Sequence, residues 1–189
     1  MLSVQPNQRY TLEEYLALER ESEVKYEFWQ GEIFAMSGGT LWHNVVMDNV
    51  AIALRRVLQG KSCRVFSSNC QIKVPTAPPY RYADGSVVCG KIVVERFNGN
   101  DLLLNPLLIY EVLSPSTEGF DRGDKFTYYK SIESLAEYLL IAQHRPHITQ
   151  YVRQSDATWA YTEVNSLDAS LFLPSLDVTL ALHEVYQDV

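Results

Sequence analysis

The chain has 189 residues, with 16 basic and 23 acidic side chains and a formal net charge of −7. This length predicts one compact domain, 1–189, and a hydrophobic fraction of 47% supports a sizeable core and excludes intrinsic disorder. The acidic balance excludes a generally basic protein that coats DNA.

The lack of a predicted targeting signal and the cysteine pattern indicate a cytoplasmic protein. No apolar run approaches about 18 residues, so no membrane-spanning helix is predicted. Met1–Tyr10 is polar and lacks a hydrophobic signal core. Cys63, Cys70 and Cys89 are odd in number and lack a CxxC spacing, so we expect reduced thiols and no zinc site.

One segment of the chain departs from the acidic average. Residues 49–83, here called the positive segment, contain no Asp or Glu. Such a segment suits a phosphate-bearing partner, although taken alone it is more often a set of ordinary solvated charges on a helix and a hairpin. Its basic residues are Arg55, Arg56, Lys61, Arg64, Lys73 and Arg81.

Capping signals and hydrophobic patterns predict the first elements in chain order. A capping box that begins at Thr11 predicts a first helix. The runs Lys25–Trp29 and Glu32–Met36 predict a β-hairpin. A second helix is predicted between a cap at Thr40 and a stop at Gly60.

The rest of the chain predicts strands and two further helices. Leu107–Leu113 is almost fully apolar, which is typical of a central strand buried on both faces. Helices are predicted over Asp121–Ser131 and Leu182–Gln187. This order indicates an α/β or α+β domain with one mixed sheet covered by helices. The other predicted strands are Cys63–Phe66, Cys70–Val74, Tyr82–Cys89, Glu137–Ala142, His147–Arg153 and Ala157–Val164, with 91–97 extending or flanking the third and loops at 75–79 and 98–100.

Two carboxylates stand against their local patterns. Glu111 lies inside the apolar strand 107–113, where an unpartnered ionised carboxylate costs several kcal/mol or takes up a proton. It therefore needs a cation, either a Lys or Arg in a structural ion pair or a metal. Asp84 heads a hydrophobic strand, a position also common for a simple turn residue. Two carboxylates on one sheet suit a hard cation such as Mg²⁺.

Lys125 is the third anomaly. If Asp121 caps the predicted helix, Lys125 lies in the first turns, where its charge opposes the helix dipole. Its neighbours three and four residues on are Tyr128 and Tyr129 rather than a solvated charged face. Lys125 therefore points towards an anion, and pairing with Glu111 alone would satisfy it.

Weaker candidates accompany these three. Glu27 lies in an aromatic strand, at a solvated edge or in a site, and His43 is a core-edge histidine or a ligand. Gln71 begins a strand and could contact a substrate. A nucleophile pair of Ser114 and His43 is a weak alternative, because no Gly-x-Ser-x-Gly or oxyanion-loop signature accompanies it.

These residues together resemble a known family. The pattern resembles the restriction-endonuclease family of unknown function that is abundant in cyanobacteria, within the PD-(D/E)XK nuclease superfamily, and it extends from about Tyr10 to Val164. The resemblance implies a restriction-endonuclease-like mixed sheet flanked by helices. The segments that carry it are Tyr26–Glu32, His43, Tyr82–Val88, Tyr110–Thr117 and Asp121–Tyr129.

The resemblance also implies roles for single residues. Asp84 and Glu111 match the metal ligands, and Lys125 matches a lysine that has moved from its usual strand position, here Leu113, to the following helix. Glu27 matches an acidic residue that assists the metal. The chain departs from the family at Ala83, where Pro is usual, which affects the strand entry more than the chemistry.

The predicted activity is Mg²⁺- or Mn²⁺-dependent hydrolysis of DNA phosphodiester bonds by an endonuclease. The Val112 carbonyl would help Asp84 and Glu111 hold the metal. A homodimer is plausible, because it would place two sites on two strands. The alternative is a catalytically silent nuclease-fold module for binding or interaction. The predicted substrate-binding residues are His43, Gln71, Arg55 and Lys73.

Overall fold

A computed structural model describes residues 8–22, 24–35, 39–76, 80–97, 99–115 and 117–189. Several predicted features lie wholly or partly outside these ranges. They are the start of the polar N-terminal segment, the hairpin end at Met36, the end of the loop 75–79 and the turn residue Asn98.

The chain forms many short strands and a few helices, of which α2 is the longest described, with 17 residues. The helices are α1 (Leu12–Glu21), α2 (Leu41–Val57), α3 (Glu118–Phe120), α4 (Phe126–Tyr129) and α5 (Leu182–Val185), and a π-helical turn, Asp121–Lys125, joins α3 to α4. The strands are β1 (Tyr26–Trp29), β2 (Glu32–Ala35), β3 (Cys63–Ser67), β4 (Gln71–Lys73), β5 (Tyr80–Tyr82), β6 (Gly85–Cys89), β7 (Val94–Phe97), β8 (Asn100–Leu103), β9 (Leu108–Leu113), β10 (Glu137–Ala142), β11 (Ile148–Arg153), β12 (Trp159–Val164), β13 (Ser170–Leu173) and β14 (Val178–Ala181).

The main sheet has the order β12-β11-β10-β9-β6-β3. Strands β9 and β10 are parallel, and the other neighbours are antiparallel. All six residues of β9 are buried, as its apolar sequence predicts for a strand covered on both faces. The mixed sheet flanked by helices confirms the predicted fold class.

Two hydrophobic clusters cover the faces of the main sheet. On one face, α2 contributes Val46, Val50 and Leu54 to a cluster that also contains residues of α5, β13 and β14. On the other face, Phe126 and Tyr129 of α4 belong to a second cluster with residues of β9 and β10. Glu111 therefore lies in a sheet sealed from water on both sides.

A smaller sheet, β5-β4-β8-β7, lies beside the main one. The prediction of one strand over Tyr82–Cys89 was wrong, because β5 ends at Tyr82 in the small sheet and β6 begins at Gly85 in the main sheet. The intervening residues cross between the sheets, which puts Asp84 at the junction. Strands β8, β13 and β14 were not predicted, since each has only four residues and gives a weak sequence signal.

Helices α1 and α2 begin at their predicted caps. The Thr11 side chain accepts a hydrogen bond from the Glu14 backbone N–H, and the Glu14 side chain accepts one from the Thr11 backbone. Thr40 likewise caps α2 by accepting a hydrogen bond from the His43 N–H. Gly60, with φ of +84°, lies just beyond the end of this helix, where a left-handed conformation favours glycine.

The expectation of three reduced cysteines was wrong in the structure. Cys63 on β3 lies directly opposite Cys89 on β6, with Cα atoms 4.0 Å apart, and the two form a disulfide. Their separation of 26 residues hides this pairing from a reading of local spacing. Cys70 is free and half-buried. In the described parts of the chain, no helix is long and apolar enough to cross a membrane.

Candidate active site

Asp84 and Glu111 meet where β6 leaves the junction and passes β9. Gly85 is paired with Tyr110, so the antiparallel register brings Asp84 next to Glu111. The Asp84 backbone N–H donates to Glu111 Oε2 at 3.2 Å, and the Val112 N–H donates to Asp84 Oδ2 at 2.7 Å. The backbone of each strand thus holds the carboxylate of the other.

Gly85 is required for this close approach. A Cβ atom at this position would lie 2.2 Å from the ring of Tyr110, far inside van der Waals contact. Only glycine lets the first residue of β6 lie over that ring, and Asp84 precedes it directly.

Lys125 places its ammonium group among three carboxylates. Its Nζ lies 2.9 Å from Glu111 Oε1, 3.4 Å from Asp121 Oδ1 and 3.8 Å from Glu27 Oε1. Lys125, Glu111 and Asp121 are each buried. The predicted sequence anomalies Glu27, Glu111 and Lys125 therefore meet at one point.

The helix that carries Lys125 differs from the prediction. It begins at Glu118, and Asp121 is a buried residue of the π-helical turn rather than the helix cap. A cap would have faced solvent, whereas this carboxylate pairs with Lys125 four residues later. Sequence reasoning missed Asp121 as a site residue, although its spacing from Lys125 is a signal that could have found it.

Tyr129 is a second site residue that the sequence analysis left without a role. Its hydroxyl donates to Glu111 Oε1 at 3.0 Å and lies 3.5 Å from the Tyr82 carbonyl oxygen. Asp121, Lys125 and Tyr129 follow one another at intervals of four residues and are all buried. This spacing turns one helical face towards Glu111.

Burial and neighbouring charges shift pKa values within the carboxylate cluster, which consists of Glu27, Asp84, Glu111 and Asp121 around Lys125. Desolvation raises the pKa of Glu111 well above its usual value, and the nearby charges of Asp84 and Asp121 add to the rise, while Lys125 opposes it. Desolvation also raises the pKa of Asp121. For Lys125 burial acts to lower the pKa, but attraction to Glu111 and Glu27 prevails and holds it well above its usual value.

His43 approaches Asp84 from the first turn of α2. Its Nε2 lies 3.4 Å from Asp84 Oδ1. Hydrogen bonding to Asp84 raises the pKa of His43, with burial acting in the opposite direction. This predicted substrate-binding residue therefore lies at the carboxylate cluster.

The other predicted substrate-binding residues occupy different surroundings. Gln71 is buried and donates to the Tyr82 hydroxyl at 2.5 Å. Lys73 forms an ion pair with Glu95 in the small sheet. Arg55 lines a hollow beside Lys61, Arg64 and Cys63. Across the described ranges, neither Arg55 nor Lys73 forms a hydrogen bond or ion pair with the carboxylate cluster.

Arg81, from the positive segment, is buried rather than displayed. Only 1% of it is exposed, so it cannot offer its charge to a DNA backbone as the prediction for the segment allowed. Its Nη1 donates to the Phe28 carbonyl at 2.7 Å, and its guanidinium lies over the rings of Phe120 and Tyr128. Its Nε and Nη2 atoms have no hydrogen-bond partner. Phe28, Phe120 and Tyr128 are the sequence neighbours of the site residues Glu27, Asp121 and Tyr129, respectively.

The donor set fits a divalent cation only in part. Among the residues that the structure describes, no group of three or more His, Cys, Asp or Glu side chains has an arrangement that holds a metal by itself. Mg²⁺ is typically held by one or two carboxylates together with waters and phosphate oxygens, which the pair Asp84 and Glu111 matches. Glu27 Oε1 is buried without a hydrogen-bond partner and is a further acceptor beside them.

Comparisons with known proteins agree with this architecture. The Uma2 family model, described as "Putative restriction endonuclease", matches residues 12–183. One uncharacterized protein of Synechocystis sp. is 31% identical over 182 residues, which span 96% of this chain and 94% of the relative. A second is 32% identical over 173 residues, which span 90% of this chain and 96% of that relative.

A solved structure shares the fold. The crystal structure of a "putative nuclease belonging to DUF820" from Anabaena variabilis has a TM-score of 0.72 at 18% sequence identity, and the match covers 93% of this chain and 97% of that one. The family match over most of the chain and the identity to the Synechocystis relatives confirm the family resemblance. The chain belongs to the Uma2 family of restriction-endonuclease-like proteins.

Proposed function

We propose that this protein is a divalent-metal-dependent endonuclease that hydrolyses phosphodiester bonds of DNA and acts in the cytoplasm. The observation that carries the proposal is the meeting of Asp84, Glu111 and Lys125, supported by Glu27, at the junction of two sheets. Membership of a nuclease family favours this activity over the alternative with a Ser114 nucleophile.

The proposed cation is Mg²⁺ or Mn²⁺. Asp84 and Glu111 would hold it, helped by the Val112 carbonyl oxygen and with Glu27 as an auxiliary acceptor. When bound, such an ion lowers the pKa of a coordinated water and neutralises charge on a phosphate.

The residues of the chain supply the remaining functions. Lys125 would stabilise negative charge that develops on the phosphate, because its ammonium group is preorganised by its neighbours and needs little rearrangement. Asp121 holds Lys125 in place from within the same helix. His43, whose Nε2 lies 3.4 Å from Asp84 Oδ1, would donate to a phosphate oxygen.

A plasmid-nicking assay tests the activity. The purified chain should nick supercoiled DNA with Mg²⁺ or Mn²⁺ and should lose activity with a chelator. Asp84→Asn, Glu111→Gln and Lys125→Ala should each abolish nicking, and their effects should be non-additive because the residues act as one unit. Glu27→Gln should cost less.

Two controls separate the possible outcomes. Ser114→Ala and the exposed-carboxylate variant Asp101→Asn should retain nicking. Calorimetric titration with Mn²⁺ should detect binding by the wild type and not by Glu111→Gln. A folded wild type that binds no divalent ion and cuts no nucleic acid would favour the silent binding module instead.

A further inference from the structure

Strand β12 leaves one edge of the main sheet uncovered. It pairs with β11 on one side, and no other strand of the described chain pairs with it. Four consecutive residues, 160–163, are exposed, although side chains of a strand alternate between the two faces. Both faces of the strand are therefore accessible near this edge.

The register shows which backbone groups point outward. The Gln154 N–H donates to the Thr158 carbonyl, which marks a hydrogen-bonded pair at the β11–β12 turn. Bonded and non-bonded pairs alternate along an antiparallel ladder, and Ala160 faces Val152 two residues further on. The even-numbered residues of β12 therefore bond to β11. The backbone N–H and C=O groups of Trp159, Tyr161 and Glu163 point away from the sheet.

The side chains at this edge do little to block another strand. Natural edge strands are commonly protected by Lys, Pro, bulges or short length. The six residues of β12 include neither Lys nor Pro, and Glu163 is the one charged residue among them. Tyr161 is 55% exposed on one face. On the other face the side chain of Phe172 is 54% exposed. The Phe172 carbonyl accepts a hydrogen bond from Gln150, which is paired with Thr162 in the β11–β12 ladder.

We propose that two copies of this chain associate through their β12 strands and form one continuous sheet. If the two β12 strands pair antiparallel through their outward-pointing backbone groups, the twofold axis can pass between the two Tyr161 residues. Trp159 of one copy then lies opposite Glu163 of the other, and all three outward-facing residues of each strand form hydrogen-bonded pairs.

Charge selects this register over its neighbours. With the axis at Tyr161, the two Glu163 carboxylates are not opposite each other. A shift that places the axis at Glu163 would oppose the two like charges and leave Trp159 without a partner strand residue. The two Tyr161 rings lie on one face of the joined sheet, beside the Tyr151 rings that they already contact at 5.5 Å.

Sedimentation equilibrium tests the association without reference to catalysis. We expect the wild type to form a dimer of twice the 21.6 kDa chain mass at micromolar concentration. Tyr161→Lys places two like charges opposite each other at the axis and should raise the dissociation constant of the dimer at least about tenfold. Gln59→Lys, which adds the same charge at an exposed position beyond α2, should leave the dimer unchanged. A wild type that remains monomeric up to about 1 mM, or a Tyr161→Lys dimer as tight as the wild type, overturns the proposal.

Cysteine cross-linking tests the register. Cα atoms of a hydrogen-bonded antiparallel pair are about 5.5 Å apart, within disulfide range. Tyr161→Cys should therefore form a disulfide-linked dimer on mild oxidation. Ala160→Cys is the matched control, since position 160 lies opposite 162 and on the other face. Equal cross-linking by the two variants, or none by Tyr161→Cys, contradicts the proposed pairing, and circular dichroism checks that both variants are folded.

Discussion

The two buried cationic side chains, Lys125 and Arg81, differ in the partners that surround their charges. Lys125 is surrounded by Glu111, Asp121 and Glu27. Arg81 donates one hydrogen bond to a backbone carbonyl and otherwise contacts aromatic rings. A buried charge costs least when it is paired, so removing Lys125 should destabilise the protein far more than removing Arg81.

Replacing Lys125 by Met should strongly destabilise the protein. The change leaves Glu111 and Asp121 buried without their cation, and breaking a buried pair in this way costs about 3–5 kcal/mol. Burial already raises the pKa of both carboxyls, and without Lys125 the rise is larger. When a carboxyl has a higher pKa in the folded state than in the unfolded state, the protein loses stability as the pH rises from the unfolded pKa through the folded pKa. The deficit should therefore be larger at pH 8 than at pH 5.

Urea unfolding of wild type and Lys125→Met across this pH range measures the effect. A deficit that is independent of pH would show that the carboxyls do not carry it.

Replacing Arg81 by Met should change the free energy of unfolding by less than about 1 kcal/mol, or increase it. Methionine keeps most of the volume between Phe120 and Tyr128, and the change removes the free-energy cost of burying a charge. The Phe28 carbonyl loses one donor, which limits the gain. Chemical denaturation of the variant measures this, and a loss comparable to that of Lys125→Met would mean that the guanidinium has an anionic partner.

At the scale of elements, the junction between β5 and β6 positions the site. The chain leaves the small sheet after Tyr82 and enters the main sheet at Gly85. The close packing of Gly85 on the Tyr110 ring fixes how far β6 approaches β9. The position of Asp84 depends on this approach, because Asp84 directly precedes Gly85.

Gly85→Ala should therefore disturb both folding and the site. The added methyl group must displace the Tyr110 ring or the strand, and such overpacking costs about 1–3 kcal/mol. Calorimetric titration should also show weaker Mn²⁺ binding, since Asp84 moves with the strand. Gly119→Ala is the control, because nothing lies within 4 Å of a Cβ at that position.

A double mutant identifies the steric cause. Tyr110→Leu shortens the opposing side chain, so Gly85→Ala should cost less in that background than in the wild type. Equal costs in the two backgrounds would assign the effect to backbone conformation instead of contact with the ring.

For the molecule as a whole, the pairing of β3 with β6 holds the sheet edge opposite β12. Backbone pairing runs from Cys63 opposite Cys89 to Ser67 opposite Gly85, and the disulfide adds a covalent link at one end. The strands also carry residues of the core, among them Val87. The ladder and core should therefore keep this edge in place when the disulfide is reduced.

Reduction should lower the free energy of unfolding by about 3 kcal/mol without unfolding the protein, the amount expected from opening a loop of this size. Thiol titration of the unreduced, denatured chain should count one cysteine, Cys70, and full reduction should expose three. Far-UV circular dichroism with and without reductant measures retention of the fold. Three reactive thiols before reduction would contradict the disulfide.

The sequence by itself determined the family, the fold class and the anomalies at Glu111, Asp84 and Lys125. These inferences succeeded because each depends on a residue and its close neighbours: a carboxylate in an apolar strand is improbable whatever the fold. The motif positions and the central strand followed from the same local information.

Only the tertiary structure decided which distant residues meet. It moved Asp121 from a helix cap to a partner of Lys125, buried Arg81, divided 82–89 between two sheets and joined Cys63 to Cys89. It also placed Arg55 and Lys73 outside the hydrogen bonds and ion pairs of the carboxylate cluster in the described residues. Strand order and register set these contacts, and they arise from packing over the whole chain, which local periodicity does not encode.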